Sequence, residues 1–291
     1  MNLFFKYTLL IGITTLPLEI EAQGTISRKA KPTPSKHKTE LNSKYRTSPS
    51  SSNAVSLQAE LKKLEKDMVY VEGGTFMLGA NTNDPEADSD EKPVHSVTLS
   101  SFYICKYEVT QSLWKAVMGT NPSCWKGNNL PVETVNWDDC IQFINKLNAL
   151  TGKTFRLPTE AEWEFSARGG NVSRNFKYCG SNNLDLVAWY NSNSGEGTHP
   201  VGTKECNELG LYDMNGNVRE WCSNWFGNYN SKPQVNPQGP QDGDRRIHRG
   251  GSWWSYAGNC RISRRCYCTP DYKENGLGLR LASSISEETG K

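Results

Sequence analysis

The chain has 291 residues, 36% of them hydrophobic and 22% charged, with 33 Lys+Arg against 31 Asp+Glu. This balance excludes a polybasic nucleic-acid binder and an acidic disordered chain, and the length suits one large domain with appendages or two small domains. Nine Trp beside a mean hydropathy of −0.66 imply large rings buried inside an otherwise polar, loop-rich sequence.

At the N-terminus Lys6 closes a short positive region, Tyr7 to Leu18 is apolar but too short to span a bilayer, and Ile20-Glu21-Ala22 offers a small-residue cleavage site. The pattern predicts an export signal over residues 1–22 and a periplasmic, cell-surface or secreted mature protein. No Cys precedes Cys105, so no lipid-attachment Cys follows the apolar run. No other segment approaches about 18 consecutive apolar residues, so no transmembrane segment is expected. Residues 23–54 are rich in Lys, Ser, Thr and Pro, a composition that buries too little apolar surface to offset ordering entropy and reads as a linker. Residues 1–67 carry 11 Lys+Arg and 6 Asp+Glu, whereas residues 68–291 carry 22 and 25, so a basic arm precedes a mildly acidic domain. Leu57, Leu61 and Leu64 predict a short amphipathic helix over residues 55–67 that caps this domain.

From Met68 the texture changes to short apolar runs broken by Gly, Asn, Asp and Pro, which predicts a mixed α and β domain over 68–284 with a tail at 285–291. Val69-Tyr70-Val71 and Phe76-Met77-Leu78 read as strands, and Val94 to Tyr103 alternates as one longer strand. Thr110 to Met118 reads as a helix. Asp138 to Leu150 is a second, with Ile141, Phe143, Ile144, Leu147 and Leu150 near helical spacing. Thr159 and Glu162 form a capping box that starts a third helix over Glu160 to Ala167, stopped by Gly169-Gly170.

Six motifs then occur in order: Gly73-Gly74-Thr75-Phe76, Tyr107-Glu108-Val109-Thr110, Arg156 to Glu164, Asn215-Gly216-Asn217-Val218-Arg219-Glu220-Trp221, Arg249-Gly250-Gly251-Ser252-Trp253 and Gly278-Leu279-Arg280. The succession, over about residues 68 to 284, resembles the formylglycine-generating enzyme family, also called sulfatase-modifying factors. The resemblance implies an irregular, loop-rich α+β single domain related to the C-type lectin fold.

Family members that oxidise a cysteine of a target sulfatase to formylglycine bind copper(I) between two thiolates five residues apart, downstream of the Gly-Gly-Ser. Those positions here are Ser255 and Cys260, so one soft ligand is replaced by a hard, neutral hydroxyl. Tyr256 stands where the enzymes tend to carry a His, Asn259 where they carry an aromatic, and Arg219 where they carry a Trp, while Ser252 and Arg264 match. Ala167, Arg265 and Leu281 stand where the family's structural disulfides would place cysteines. The resemblance further implies a structural calcium ion, whose ligand places are filled by Asp213, Gly216, Val218 and Glu220. Two carboxylates and two backbone carbonyls on a tight Gly turn are the oxygen donors that calcium prefers.

Other constellations are weaker. Cys260, Cys266 and Cys268 share one parity, which in an extended segment would put three thiols on one side, yet Gly258 and Pro270 imply turns, and packing or disulfide cysteines are the expectation. Nine cysteines is an odd number, so at least one thiol stays free or pairs between chains. The acidic run Asp84 to Glu91 lacks the central Gly of a calcium loop and reads as a solvated surface. His95, His199 and His248 do not fall at metal-ligand spacing and read as surface or packing residues.

Two functional readings follow. In one the domain is non-catalytic and binds a protein or glycan through a patch of Trp254, Ser255, Tyr256, Asn259 and Arg261. In the other it is a copper-dependent oxidase acting on a Cys of a target protein, with Cys260 as its thiolate and Ser252 and Arg264 beside it.

Overall fold

The computed structural model describes residues 51–81 and 83–285. The export signal expected at 1–22, nearly all of the linker expected at 23–54 and all but the first residue of the tail lie outside them. No helix among the described residues is long and apolar enough to cross a membrane.

The first element is α1 (Ser51–Asp67), which begins four residues before the point marked by the leucine pattern. Leu64 is buried and Leu57 and Leu61 pack against the same apolar cluster, so this helix closes one side of the core. Strands β1 (Met68–Val71), β2 (Gly74–Leu78), β3 (His95–Leu99) and β4 (Phe102–Cys105) follow. The single strand expected over 94–103 is therefore two. The chain changes sheets at Ser100-Ser101, where the Ser100 amide donates to Asn236 Oδ1 and the Ser101 hydroxyl accepts from the Gly73 amide.

Helix α2 (Gln111–Met118) is capped by the Thr110 hydroxyl and ends at Gly119, whose φ is 83°. Helix α3 (Trp137–Thr151) carries a capping box between Asn136 and Asp139. Its buried stripe is Cys140, Phe143, Ile144 and Leu147, while Leu150, expected inside, is 47% exposed. After β5 (Phe155–Arg156) comes α4 (Glu160–Ala167), with the expected bounds and the reciprocal Thr159–Glu162 capping bonds. The remaining elements are α5 (Leu184–Val187), β6 (Arg219–Trp225), β7 (Gln234–Val235), β8 (Arg246–Arg249), β9 (Cys266–Cys268), β10 (Leu277–Gly278) and β11 (Ala282–Ser284).

These strands form three small sheets, ordered β1-β4-β11-β5, β10-β6-β8-β9 and β2-β3-β7. One apolar cluster joins α1, α2 and α3 around Trp114, Phe143 and Trp221, and a second gathers around Trp163, Phe165 and Phe102. A third, smaller cluster of Tyr178, Leu184, Val187, Ala188 and Cys260 lies beneath the long loops.

All eight residues of α4 are buried, including Glu160, Glu162 and Glu164. An unpaired buried carboxylate is costly, and each of these is answered by Arg. Arg249 reaches Glu160 at 2.8 Å and Glu164 at 2.5 Å, Arg265 grips Glu160 through two bonds at 2.7 and 2.8 Å, Arg168 binds Glu164, and Arg156 holds both oxygens of Glu162. Burial alone would raise Glu160 and Glu164, but these guanidiniums hold both below the usual carboxylate range. Glu220 is bound in the same way by Arg280 and also accepts from Trp163 Nε1 at 2.7 Å. Four of the sequence motifs thus meet at the centre, Arg249 of one answering Glu160 and Glu164 of another and Arg280 answering Glu220.

Candidate functional site

The Arg249-Gly250-Gly251-Ser252 turn leaves β8 and delivers the chain into the loop 252–260. Gly250 and Gly251 have φ of 99° and 74°. A Cβ on Gly251 would lie 2.8 Å from Cys260 Sγ, so only glycine lets the loop fold back onto that thiol.

Ser252 and Ser255 are both buried, and their hydroxyls face each other at 3.2 Å. The Ser255 hydroxyl also accepts from the Ser252 amide at 2.9 Å, closing a tight turn. Cys260 sits on a short 3-10 turn (Ala257–Cys260), is fully buried and packs in the third apolar cluster, its carbonyl accepting from Asn215 Nδ2. Burial pushes its thiol up to about 12, with Arg219 opposing and Cys266 adding. A copper(I) centre of this kind needs two thiolates, and these residues do not supply the pair, because a hydroxyl engaged in a turn stands at the first position.

Arg264 is not drawn into this loop. Its guanidinium pairs with Asp88 and lies 3.8 Å from Glu91. Arg261, expected on a surface patch, is 2% exposed and grips both oxygens of Glu91 at 2.7 Å, with further bonds to the Glu86 and Gly258 carbonyls. The acidic run is therefore not a purely solvated surface, because Glu91 is fully buried and the Asp90 carbonyl accepts from Arg265. Of the five patch residues, Ser255 and Arg261 are internal, and Trp254, Tyr256 and Asn259 reach solvent. Tyr256 is 72% exposed, and Trp254 carries the Arg219 guanidinium 4.4 Å above its ring. Trp253 is half-buried against Trp125.

The calcium residues lie in a buried, acid-rich pocket. Gly216 has φ of 81°, and a Cβ there would stand 2.1 Å from the Trp189 carbonyl. Asp213 Oδ2 accepts from the Gly202 amide at 2.7 Å, while its Oδ1 is buried without a partner. Burial pushes the Asp213 carboxyl up to about 6, with Glu220 adding to the rise. Glu108, missed by sequence reasoning, is also here: it accepts from Val218 N and Asn217 Nδ2, and burial, then Asp213 and Glu220, raise it well above its usual range. Three carboxyl groups thus share Arg280. The orphaned Asp213 oxygen fits a cation, whereas Glu220 is already committed to Arg280 and Trp163.

All nine cysteines are unpaired. Ala167 and Leu281 are core residues and Arg265 holds Glu160, so packing and an ion pair occupy the places expected of the family's structural disulfides. His248 is buried on β8, with its edge toward Trp221, and burial together with Arg219 and Arg249 keeps the ring neutral.

The family description "Sulfatase-modifying factor enzyme 1-like domain" matches residues 54–285. The chain belongs to the sulfatase-modifying factor family. Among its relatives is "Chaperone protein LppX" of Paenibacillus barcinonensis, 39% identical over 262 residues, covering 73% of this chain and 86% of that one. The formylglycine-generating enzyme of Mus musculus is 31% identical, covering 74% of each chain. Among solved structures, Treponema denticola variable protein 1 matches with a TM-score of 0.69 and 36% identity, covering 75% of this chain and 95% of that one. PvdO from Pseudomonas aeruginosa matches with a TM-score of 0.67 and 27% identity, covering 75% and 94%. The sulfatase-modifying factor fold is therefore shared with proteins of different names.

Proposed function

We propose that the chain is an exported, non-catalytic member of the sulfatase-modifying factor family that binds a protein or glycan through the surface around Trp254, Tyr256 and Asn259. The observation that carries this reading is the geometry at the family's oxidase positions: a Ser255 hydroxyl tied into a turn faces the loop where a thiolate is expected, and Cys260 is the one buried thiol of the pair. Loss of the thiolate pair removes the soft ligands on which oxygen activation by copper(I) depends, while the fold around them is retained. Exposed aromatic rings with polar neighbours are a common composition of recognition surfaces. The 39% identity to a protein named a chaperone favours a protein ligand over a glycan. Calcium, with Asp213 Oδ1 among its ligands, belongs to the proposal as a structural ion.

The test is incubation of the purified, reduced protein with copper and a Cys-containing sulfatase peptide, read by mass spectrometry. No conversion to formylglycine is expected. Copper-dependent turnover that disappears in Cys260→Ser would establish the oxidase reading instead.

A further inference from the structure

We infer that His248, Cys266 and Cys268 form a binding site for zinc or a comparable thiophilic divalent ion, which uses neither Ser255 nor Cys260 as a ligand. The argument starts from strand register. β8 and β9 pair antiparallel, with His248 opposite Cys266 and Arg246 opposite Cys268. Directly opposed residues point to the same side of a sheet, as do residues two apart on one strand, so His248, Cys266 and Cys268 share one face. On the other face Ile247 and Tyr267 enter the core.

The shared face borders an open groove of about 450 Å³, lined by these three residues together with Arg219, Asp88 and Tyr272. β9 is the edge strand of its sheet, and Cys266 and Cys268 are half-buried, so both thiols can be reached from the groove. His248 is only 3% exposed and its Nδ1 is buried with no hydrogen-bond partner. Buried imidazole nitrogens are rarely left unpaired, and a ring lining a groove beside two thiols gains a partner if a metal binds there.

Two Cys and one His are a ligand set that zinc accepts, with a fourth position left for water or a bound molecule. The three donor atoms have not converged within 4.8 Å of one another, so binding turns the Cys266 and Cys268 side chains about χ1 toward the imidazole. His248 and Cys266 are directly opposed, with Cβ atoms roughly 4.5–5.5 Å apart, and Cys268 is their diagonal neighbour at roughly 7–8 Å, so its side chain must swing the furthest for the donors to reach a common centre. Each thiol loses its proton to solvent as the metal–sulfur bond forms, so affinity rises with pH. The guanidiniums around the groove do not oppose this as free charges, because Arg219 pairs with Glu274, Arg264 with Asp88 and Arg265 with Glu160.

Cobalt(II) titration of the full, reduced protein under anaerobic conditions tests the site, since thiolate ligation gives a near-ultraviolet charge-transfer band that carboxylates or imidazole alone do not. One equivalent of cobalt with this band, displaced by zinc, is expected. Cys266→Ser and Cys268→Ser should each weaken binding by at least about tenfold and remove intensity from the band. Cys124→Ser, at an exposed cysteine elsewhere, should leave it unchanged. His248→Gln should weaken binding while the thiolate band persists, and if that variant does not fold, the two serine variants decide. Absence of stoichiometric binding, or a band that survives in both serine variants, would overturn the assignment. This outcome is independent of the peptide assay, because neither Ser255 nor Cys260 belongs to the site.

Discussion

At the scale of single residues, the loop 252–260 keeps a closed geometry with Ser255 where the family resemblance implies a cysteine. Ser255 keeps the hydrogen bond that closes its turn, so the loop geometry does not depend on a thiol there. Cys260 is retained as a packing residue, and the neighbouring Gly251 leaves no room for a side chain between them. The thiolate is the nucleophile, so a thiol held at about 12 is inert at neutral pH. Alkylation of the native protein at pH 8 should label exposed Cys124, while Cys260 reacts at least about a hundredfold more slowly and gains reactivity only as pH climbs toward its own value or the chain unfolds. Peptide mapping after timed quenching reads both rates. Comparable labelling of the two cysteines would show that Cys260 is not buried as described. The exposed and buried members of the expected patch could not be separated from spacing alone, because Arg261 is drawn inward by Glu91, a residue 170 positions earlier.

At the scale of elements, α4 was the best-marked helix in the sequence, and its cap and bounds follow from Thr159 and Glu162 at the start and the two glycines at the end. What the sequence did not show is that its acidic face is inside. Three carboxylates on a two-turn helix ordinarily mark solvent, and here they mark the centre, because Arg249, Arg265, Arg168 and Arg156 converge on them. Removing one partner strands a buried charge. Arg249→Ala should therefore cost about 3–5 kcal/mol, measured by urea unfolding at pH 7. Glu160 and Glu164 are held low in the native state, so their stabilisation is fully present above the unfolded carboxylate value of 4.5 and is lost as pH falls through their native values. The wild type should lose stability below about pH 4.5, and the variant should show a shallower loss. Equal pH profiles would mean that these ion pairs do not carry the acid sensitivity. The strand expected over 94–103 failed for a related reason: alternation continues through Ser100-Ser101, but a partner 136 residues away turns the chain into a second sheet.

At the scale of the whole molecule, the described residues form three sheets and four main helices around two large aromatic cores, with few long regular elements among them. Such a loop-rich interior depends on polar links, and around Asp213, Glu108 and Glu220 three buried carboxyl groups lie near one guanidinium, that of Arg280. A calcium ion bound to the native state alone stabilises it by mass action. The melting temperature at pH 7 should rise on adding calcium and fall on chelation, by about 2–4 °C for each kcal/mol at this size, and Asp213→Ala should abolish the response. A wild-type protein indifferent to both treatments would remove calcium from the proposal. The sequence by itself was enough to indicate the family and its loop-rich α+β fold, because six ordered motifs resemble the family's succession and the texture between them is short apolar runs broken by turn residues. Through that resemblance it also placed Ser255 where a copper thiolate is expected, since that is a matter of residue type. Only the tertiary structure decided that the motif charges pair with one another, that Arg261 is internal, that Glu108 joins the acidic pocket and that His248 stands beside Cys266. Each of these is a contact between segments far apart in the chain, and local periodicity carries no record of which distant side chain will neutralise, cover or oppose a given residue.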